Sequence, residues 1–251
     1  MRFLLLPDIH GRKFWEKPCK DISQYDKVIF IGDYVDPYAF EHISVPEAID
    51  NMQNIIDLKK NYPDKVILLL GNHCMPYFSD EYYRMHRYHS RHSSIYHDQI
   101  HDLYNDNKNL FQLAYASGDI LFTYAGVTST WFEYELEVKE HDPNKIADEI
   151  NGMLSSMEGI QKLFMVSSCR GGWDSFSSCI WADIKEFINE DKEQPLGDIK
   201  QVFGHSLQAY YDMNYDIIYG DILEFTNNKM IDNCRPYELD TDTFTIKEAA
   251  H

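Results

Sequence analysis

The chain has 251 residues, 44% of them hydrophobic, with 23 basic against 41 acidic side chains and a formal charge of −18. That size and apolar share suit a domain with a sizeable core and exclude a disordered chain. The charge repels nucleic-acid backbones and anionic membranes and gathers cations, and no apolar run approaches the ~20 residues of a membrane-crossing helix.

The first apolar run, residues 3–6, stops at Pro7-Asp8. It is too short for a signal peptide and no small-residue cleavage site follows, so a buried strand is expected. Residues 27–31 and 66–70 are equally uniform in their apolar character and read as central strands covered on both faces. Between them, Ser44 and Glu47 have the spacing of a capping box, Pro46 sits in the first turn, and Ile49, Met52, Ile55 and Ile56 recur at helical spacing. From Asn72 to about Tyr104 the chain is polar and aromatic, with a helical expectation. Strands follow over 110–114 and 120–124, then helices over 130–137, 143–157 and 182–189. Val202-Phe203 leads into Gly204-His205, residues 215–225 read as a closing pair of strands, and Asn227-Asn228 fits a tight turn. Trp131, Trp173 and Trp181 are expected to pack inside. The five cysteines, Cys19, Cys74, Cys169, Cys179 and Cys234, are odd in number and contain no C-x-x-C, which points to reduced thiols in the cytoplasm. The whole pattern begins β-α-β and ends in strand pairs, an α/β layering over mixed sheets.

The chemistry-bearing residues cluster where strands end. The first strand runs into Asp8-Ile9-His10-Gly11, the second into Gly32-Asp33-Tyr34-Val35-Asp36, the third into Gly71-Asn72-His73, and a fourth into Gly204-His205. Ligands in open α/β sheets collect at the carboxyl ends of strands, so these residues are expected to meet in one crevice. In Asp-x-His, alternation puts a carboxylate and an imidazole on the same side of an extended chain. Mixed oxygen and nitrogen donors suit Mn, Fe, Zn or Ni better than Ca. An aspartate such as Asp33 can bridge two ions about 3.5–4 Å apart, the spacing used in phosphoryl displacement.

These ordered blocks resemble the signature of the calcineurin-like metallophosphoesterases, nearest to their bacterial serine/threonine-phosphatase-like and dinucleoside-tetraphosphatase-like members. The resemblance implies a two-sheet β-sandwich flanked by helices, one domain over 1–251. It also implies a phosphatase that hydrolyses a phosphate ester by metal-activated water at a dinuclear site, with two divalent ions, Mn favoured. By position, Asp8, His10 and Asp33 would hold the first ion, and Asp33, Asn72 and His205 the second. His73 would be the catalytic imidazole, protonating the leaving oxygen or steadying the phosphate, with Asp36 orienting it.

Departures from the pattern matter as much. Tyr124 stands where the family places a further metal histidine, Cys74 where an acidic residue usually follows Asn-His, and Pro37 where the protein-phosphatase branch has a phosphate-binding arginine. Tyr124 either weakens the second ion or binds it as phenolate, and the alternative function is a binding protein with weakened catalysis. Cys74 is either a soft ligand or a plain substitution. Arg12, Arg170 or an arginine from 84–91, such as Arg84 or Arg87, would replace the missing arginine. Residues 77–105 hold His86, His89, His92, His97 and His101 among many tyrosines and arginines. This stretch reads as a lid-like helical insertion or as a solvated helix, and His97 and His101 as a candidate extra metal pair. The expected partner is a phosphoprotein, a nucleotide or a dinucleoside polyphosphate, not a membrane or nucleic acid; substrate and oligomeric state stay open.

Overall fold

The computed structural model describes residues 1–85, 91–189, 196, 199–206, 209–211, 217–219, 222–225, 228–231 and 235–249. In chain order the first half runs β1 (Arg2–Leu6), β2 (Lys27–Phe30), α1 (Val45–Asn61), β3 (Val66–Leu69), α2 (Met75–Phe78), α3 (Asp80–Met85) and α4 (His97–Asp106). Then come β4 (Phe111–Gln112), β5 (Ala114–Ser117), β6 (Ile120–Thr123), α5 (Ser129–Glu135), α6 (Pro143–Gly152), α7 (Met157–Leu163) and α8 (Ile184–Asn189). The remaining strands are β7 (Lys200–Phe203), β8 (Ala209–Tyr211), β9 (Ile217–Tyr219), β10 (Ile222–Phe225), β11 (Asn228–Ile231), β12 (Tyr237–Asp240) and β13 (Thr245–Glu248).

The first sheet has the order β13-β12-β1-β2-β3-β4. Its centre is parallel, with Leu4 opposite Val28 and Val28 opposite Val66. Strand β12 closes antiparallel on β1, Leu4 opposite Glu238. Phe3, Leu4, Leu5 and Leu6 are all fully buried, as an apolar strand covered on both faces must be. Because β1, β2 and β3 run the same way, residues 8, 33 and 72 just past them fall along one edge of the sheet. Helix α1 starts on a complete capping box: Ser44 Oγ accepts from Glu47 N–H, and the Glu47 carboxylate takes the Ser44 N–H at 2.8 Å. Its Ala48, Ile49, Met52, Ile55 and Ile56 are buried.

The second sheet has the order β10-β11-β7-β6-β5. It packs on the first to make the sandwich, with the rings of Phe3 and Phe122 meeting at 5.9 Å between centroids. Strands β6 and β7 are parallel, so Tyr124 and Gly204, just beyond them, also reach the shared edge, where Gly204 N–H bonds Tyr124 O at 2.9 Å.

Several sequence expectations need correction. Residues 110–114 are not one strand. Phe111–Gln112 joins the first sheet and Ala114–Ser117 the second, and the chain turns the corner at Leu113, where Asn151 Oδ1 accepts both Leu113 N–H at 2.7 Å and Ala114 N–H at 3.0 Å. The helix expected over 143–157 breaks after Gly152, because Ser156 caps a new helix through Gly159 N–H at 3.0 Å. Strands β9 and β10 do not pair with each other; β9 pairs with β8 and β10 with β11. Asn228 already lies in β11, paired with Phe225, and Asn227 is outside the described residues. Trp131 is buried and Trp181 partly so, but Trp173 is fully exposed beside the Gly171-Gly172 turn. His97 and His101 stack face to face, 5.9 Å apart and 13° from parallel, so they are not arranged as two ligands converging on one ion.

Candidate metal centre

The backbone turns hard at three of the four blocks. Asp8 (φ 38°), His10 (φ 42°), Asp33 (φ 51°), Asp36 (φ 60°) and His205 (φ 71°) are all in the left-handed region, a conformation that costs most residues energy and is retained at functional sites. Gly71 is required for space: a Cβ there would lie 2.3 Å from Asp33 Oδ1. The turns are locked to one another, with His10 N–H on Asp33 O at 2.6 Å and Gly11 N–H on Tyr34 O at 3.0 Å.

Asp8, His10 and Asp33 form a buried triad whose ligand atoms all lie within 4.8 Å of one another. His10 Nε2 is 3.8 Å from Asp8 Oδ1 and 3.7 Å from Asp33 Oδ2. Its Nδ1 meets Val35 O at 2.8 Å, which assigns the proton to Nδ1 and leaves the Nε2 lone pair facing the carboxylates. Donors at such separations accommodate an ion at the ~2.0–2.2 Å of first-row metals. Two further donors, Asn72 Oδ1 and His205 Nε2, are buried with no hydrogen-bond partner. Orphaned acceptors of this kind are costly, and a metal ion is one way to satisfy them. The donor set therefore fits divalent ions on its own chemistry.

Tyr124 occupies an unexpected place. Its hydroxyl reaches Asp8 Oδ1 at 2.5 Å and also donates towards Asp33 Oδ2, while its ring lies 4.9 Å from that of His205. Burial first, and the two carboxylate charges next, push its phenol well above the ordinary range, so it stays protonated among these groups. The Cys74 thiol is fully buried, accepts from Gly71 N–H at 3.3 Å and lies 3.7 Å from Asp33 Oδ1, and burial pushes its pKa up. It acts as packing and a weak donor among the described residues.

Beside the triad sits a second constellation. His73 Nδ1 meets Asp36 Oδ2 at 3.0 Å, and Tyr77 Oη–H donates to Asp36 Oδ1 at 2.6 Å. The His73 ring stands edge-on to His10 at 5.3 Å, which puts the dyad at the metal donors. Arg91 reaches in from the chain before α4. Its Nη2 donates to His73 Nε2 at 2.9 Å, its Nη1 to Asp36 O at 3.0 Å, and its guanidinium lies over the Tyr38 ring at 3.6 Å. With Arg91 donating, His73 Nε2 is the acceptor and Nδ1 carries the proton to Asp36.

With that geometry in hand, the sequence model of the calcineurin-like phosphoesterase family matches residues 1–208. The chain belongs to this family. Among solved structures, this phosphoesterase resembles a cold-active protein tyrosine phosphatase at 16% identity and TM-score 0.60, over 98% of this chain and 78% of the other. A point mutant of a cold-active protein tyrosine phosphatase matches at 16% identity and TM-score 0.56, over 99% and 80%. At that identity the likeness establishes the shared fold. No curated protein matches the chain.

The electrostatics of the phosphoesterase suit cation binding. Burial, followed by the Asp33 charge, pushes Asp8 up to about 7, against the hydrogen bonds from Tyr124 and from His205 N–H. Asp33 is raised too, chiefly by burial. His10 and His205 are held well below the usual imidazole range, first by burial and then by neighbouring cationic groups, so both are neutral donors. Two buried carboxylates set against neutral imidazoles are a poor arrangement without a cation and a good one with it.

The remaining expected residues divide. Arg12 approaches the site from behind, donating from Nη1 to Asp8 O at 2.9 Å, and pairs with Glu41 at 2.6 Å. Arg170 stands at the His205 shoulder, bonded to Ser206 Oγ at 2.7 Å and paired with Asp183 at 2.9 Å. Arg84 lies exposed on α3 and pairs with Glu81 at 3.4 Å. Arg87 lies outside the described residues. Arg91, not singled out from its neighbours in sequence, is the arginine that touches the His73–Asp36 pair. One of three arginines in a His- and Tyr-rich stretch, it carries no spacing signal that would distinguish it.

Proposed function

We propose that the chain is a metal-dependent phosphatase that cleaves a phosphate ester at the edge where the two sheets meet. The observation that carries this is the joining of a buried Asp8–His10–Asp33 donor set, through the edge-on contact of His10 with His73, to a His73–Asp36 pair and a guanidinium. Divalent ions, with manganese favoured, would be held by Asp8, His10 and Asp33 and by Asn72 and His205. When bound they supply Lewis acidity towards the phosphoryl oxygens and water.

The chain's own residues do the rest. Arg91 binds the non-bridging phosphoryl oxygens, taking the part of the arginine that Pro37 displaces. Its movement onto phosphate frees His73 Nε2 to take up a proton from solvent, giving an imidazolium that Asp36 steadies; that proton then passes to the leaving oxygen and His73 returns to the neutral form. Tyr77 and Asp36 fix the imidazole's orientation, so the proton is delivered along one direction. Residues 77–105 act as a lid that brings Arg91 into place. The substrate is a phosphoprotein, a nucleotide or a dinucleoside polyphosphate, in a cytoplasmic setting; the formal charge of −18 disfavours nucleic acid.

A second reading has its own support. The Tyr124 hydroxyl already joins Asp8 and Asp33, which favours a binding protein with weakened catalysis. Phosphate release from a panel of phosphopeptide, nucleotide and dinucleoside polyphosphate with added Mn²⁺ separates the two. Turnover of any of them supports the phosphatase; no turnover by protein that demonstrably carries its ion supports the binding module.

A further inference from the structure

We infer that the metal centre holds one ion tightly, and that the Tyr124 hydroxyl takes the place of the second. The inference rests on the metal-dependent reading above and concerns how many ions that site accepts.

Tyr124 is not a loose neighbour. Its ring is wedged between two glycine backbones: a Cβ on Gly32 would lie 2.9 Å from Tyr124 Cδ2, and one on Gly71 would lie 2.7 Å from Tyr124 Cε2. Both glycines, and the Gly204 N–H bond to Tyr124 O, hold the side chain where it is. From that position the phenol oxygen touches Asp8 Oδ1 and Asp33 Oδ2, the same two atoms that face His10 Nε2. One set, Asp8–His10–Asp33, keeps two carboxylates and an imidazole, because Asp8 Oδ1 and Asp33 Oδ2 each have a second lone pair besides the one turned to Tyr124. The other set does not. Asp33 Oδ1 already accepts from His73 N–H at 2.9 Å, and the lone pair of Asp33 Oδ2 that could bridge to a second ion is the one Tyr124 engages. What is left for a second ion is Asn72 Oδ1 and His205 Nε2, two neutral donors without a carboxylate of their own. An amide and an imidazole bind a hard divalent ion weakly when no anionic oxygen completes the set. The hydroxyl thus does in protein chemistry part of what a second cation would do: it holds Asp8 and Asp33 together.

The test counts ions. Metal-free full-length protein is equilibrated with Mn²⁺, the ions per chain are measured after dialysis, and the electron paramagnetic resonance spectrum is recorded. The wild type is expected to take one ion with an uncoupled manganese signal. A second is expected only at roughly 100-fold higher Mn²⁺, a gap of about 2.7 kcal/mol by the affinity relation. Tyr124→His is expected to take two ions and show the exchange-coupled signal of a close pair. Tyr124→Phe keeps the wedged ring and removes the oxygen, so its second-ion affinity should fall between the two. If Phe binds the second ion as poorly as Tyr, the hydroxyl is not the cause and the inference fails. Two tightly bound, coupled ions in the wild type would also overturn it, while leaving the phosphatase reading intact. No ion at all in the wild type at saturating Mn²⁺ would sink both. Because the wild-type count stands alone, the inference stays open to refutation even if a variant does not fold.

Discussion

Replacing Asp36 by Asn is the most direct perturbation of the proposed proton path. Asp36 is buried and accepts two hydrogen bonds, from His73 Nδ1–H at 3.0 Å and from Tyr77 Oη–H at 2.6 Å. Asn keeps the shape but has only one acceptor oxygen, so an N–H donor must face one of those donors. A hydrogen bond between a buried carboxylate and a donor contributes about 1.5–3 kcal/mol. If the loss falls on the imidazolium that must be in place to protonate the departing oxygen, kcat drops roughly 10- to 100-fold, and KM changes little because Asp36 does not touch the substrate. The folded state loses about 1–3 kcal/mol as well, since one buried donor goes unsatisfied. Steady-state hydrolysis of an aryl phosphate with Mn²⁺, beside thermal melts of both proteins, measures the two effects. A variant whose kcat stays within twofold of wild type, in protein with an intact melt, would refute the assignment of Asp36 and His73 to proton transfer.

Arg91→Ala should raise KM and weaken inhibition by inorganic phosphate by roughly tenfold, with Arg91→Lys in between, because only the guanidinium spans His73 and Asp36 O; competition assays with phosphate read this out. Metal affinity should rise as pH climbs towards about 7, where Asp8 gives up its proton, and then flatten; calorimetry in two buffers of different ionisation enthalpy counts the protons released. The same raised pKa has a stability consequence in the metal-free protein. Asp8's contribution is fully present below its unfolded value of about 3.9 and is lost as pH rises through about 7, so melts between those limits should show added Mn²⁺ protecting most at the upper end. Gly71→Ala should cost about 1–3 kcal/mol and lower metal affinity, since the new Cβ would fall 2.3 Å from Asp33 Oδ1; melting and ion titration of the variant test it.

The donor residues were legible because each is fastened to its own strand end by two or three residues of local chain. Asp8, His10, Asp33 and Asn72 follow apolar runs whose shared direction forces their ends together. The pairing of His73 with Asp36 also followed from the resemblance, and the structure brings them to 3.0 Å. What escaped depends on tertiary reach. Arg91 comes to His73 across a stretch without periodicity, and nothing in the sequence ranks it above Arg84, which turns out to be exposed. Tyr124 was visible as a departure, but its grip on both carboxylates requires knowing that β6 lies beside β7 and over β1. The split of residues 110–117 between two sheets hinges on a side chain 37 or 38 positions away, Asn151, which no local pattern could reveal.

The family match ends at residue 208, yet the central strand that presents Asp8 is completed by a hairpin far beyond it. Residues 237–240 zip along 2–5, Glu238 pairs with Arg2 at 2.5 Å, and the first amino group reaches Asp242 at 3.1 Å. Residues near both ends of the sequence therefore buttress the strand that carries Asp8. A protein cut back to the matched portion would turn Phe3–Leu6 into a bare, sticky margin open to pairing with other molecules, and the shortened protein is expected to aggregate.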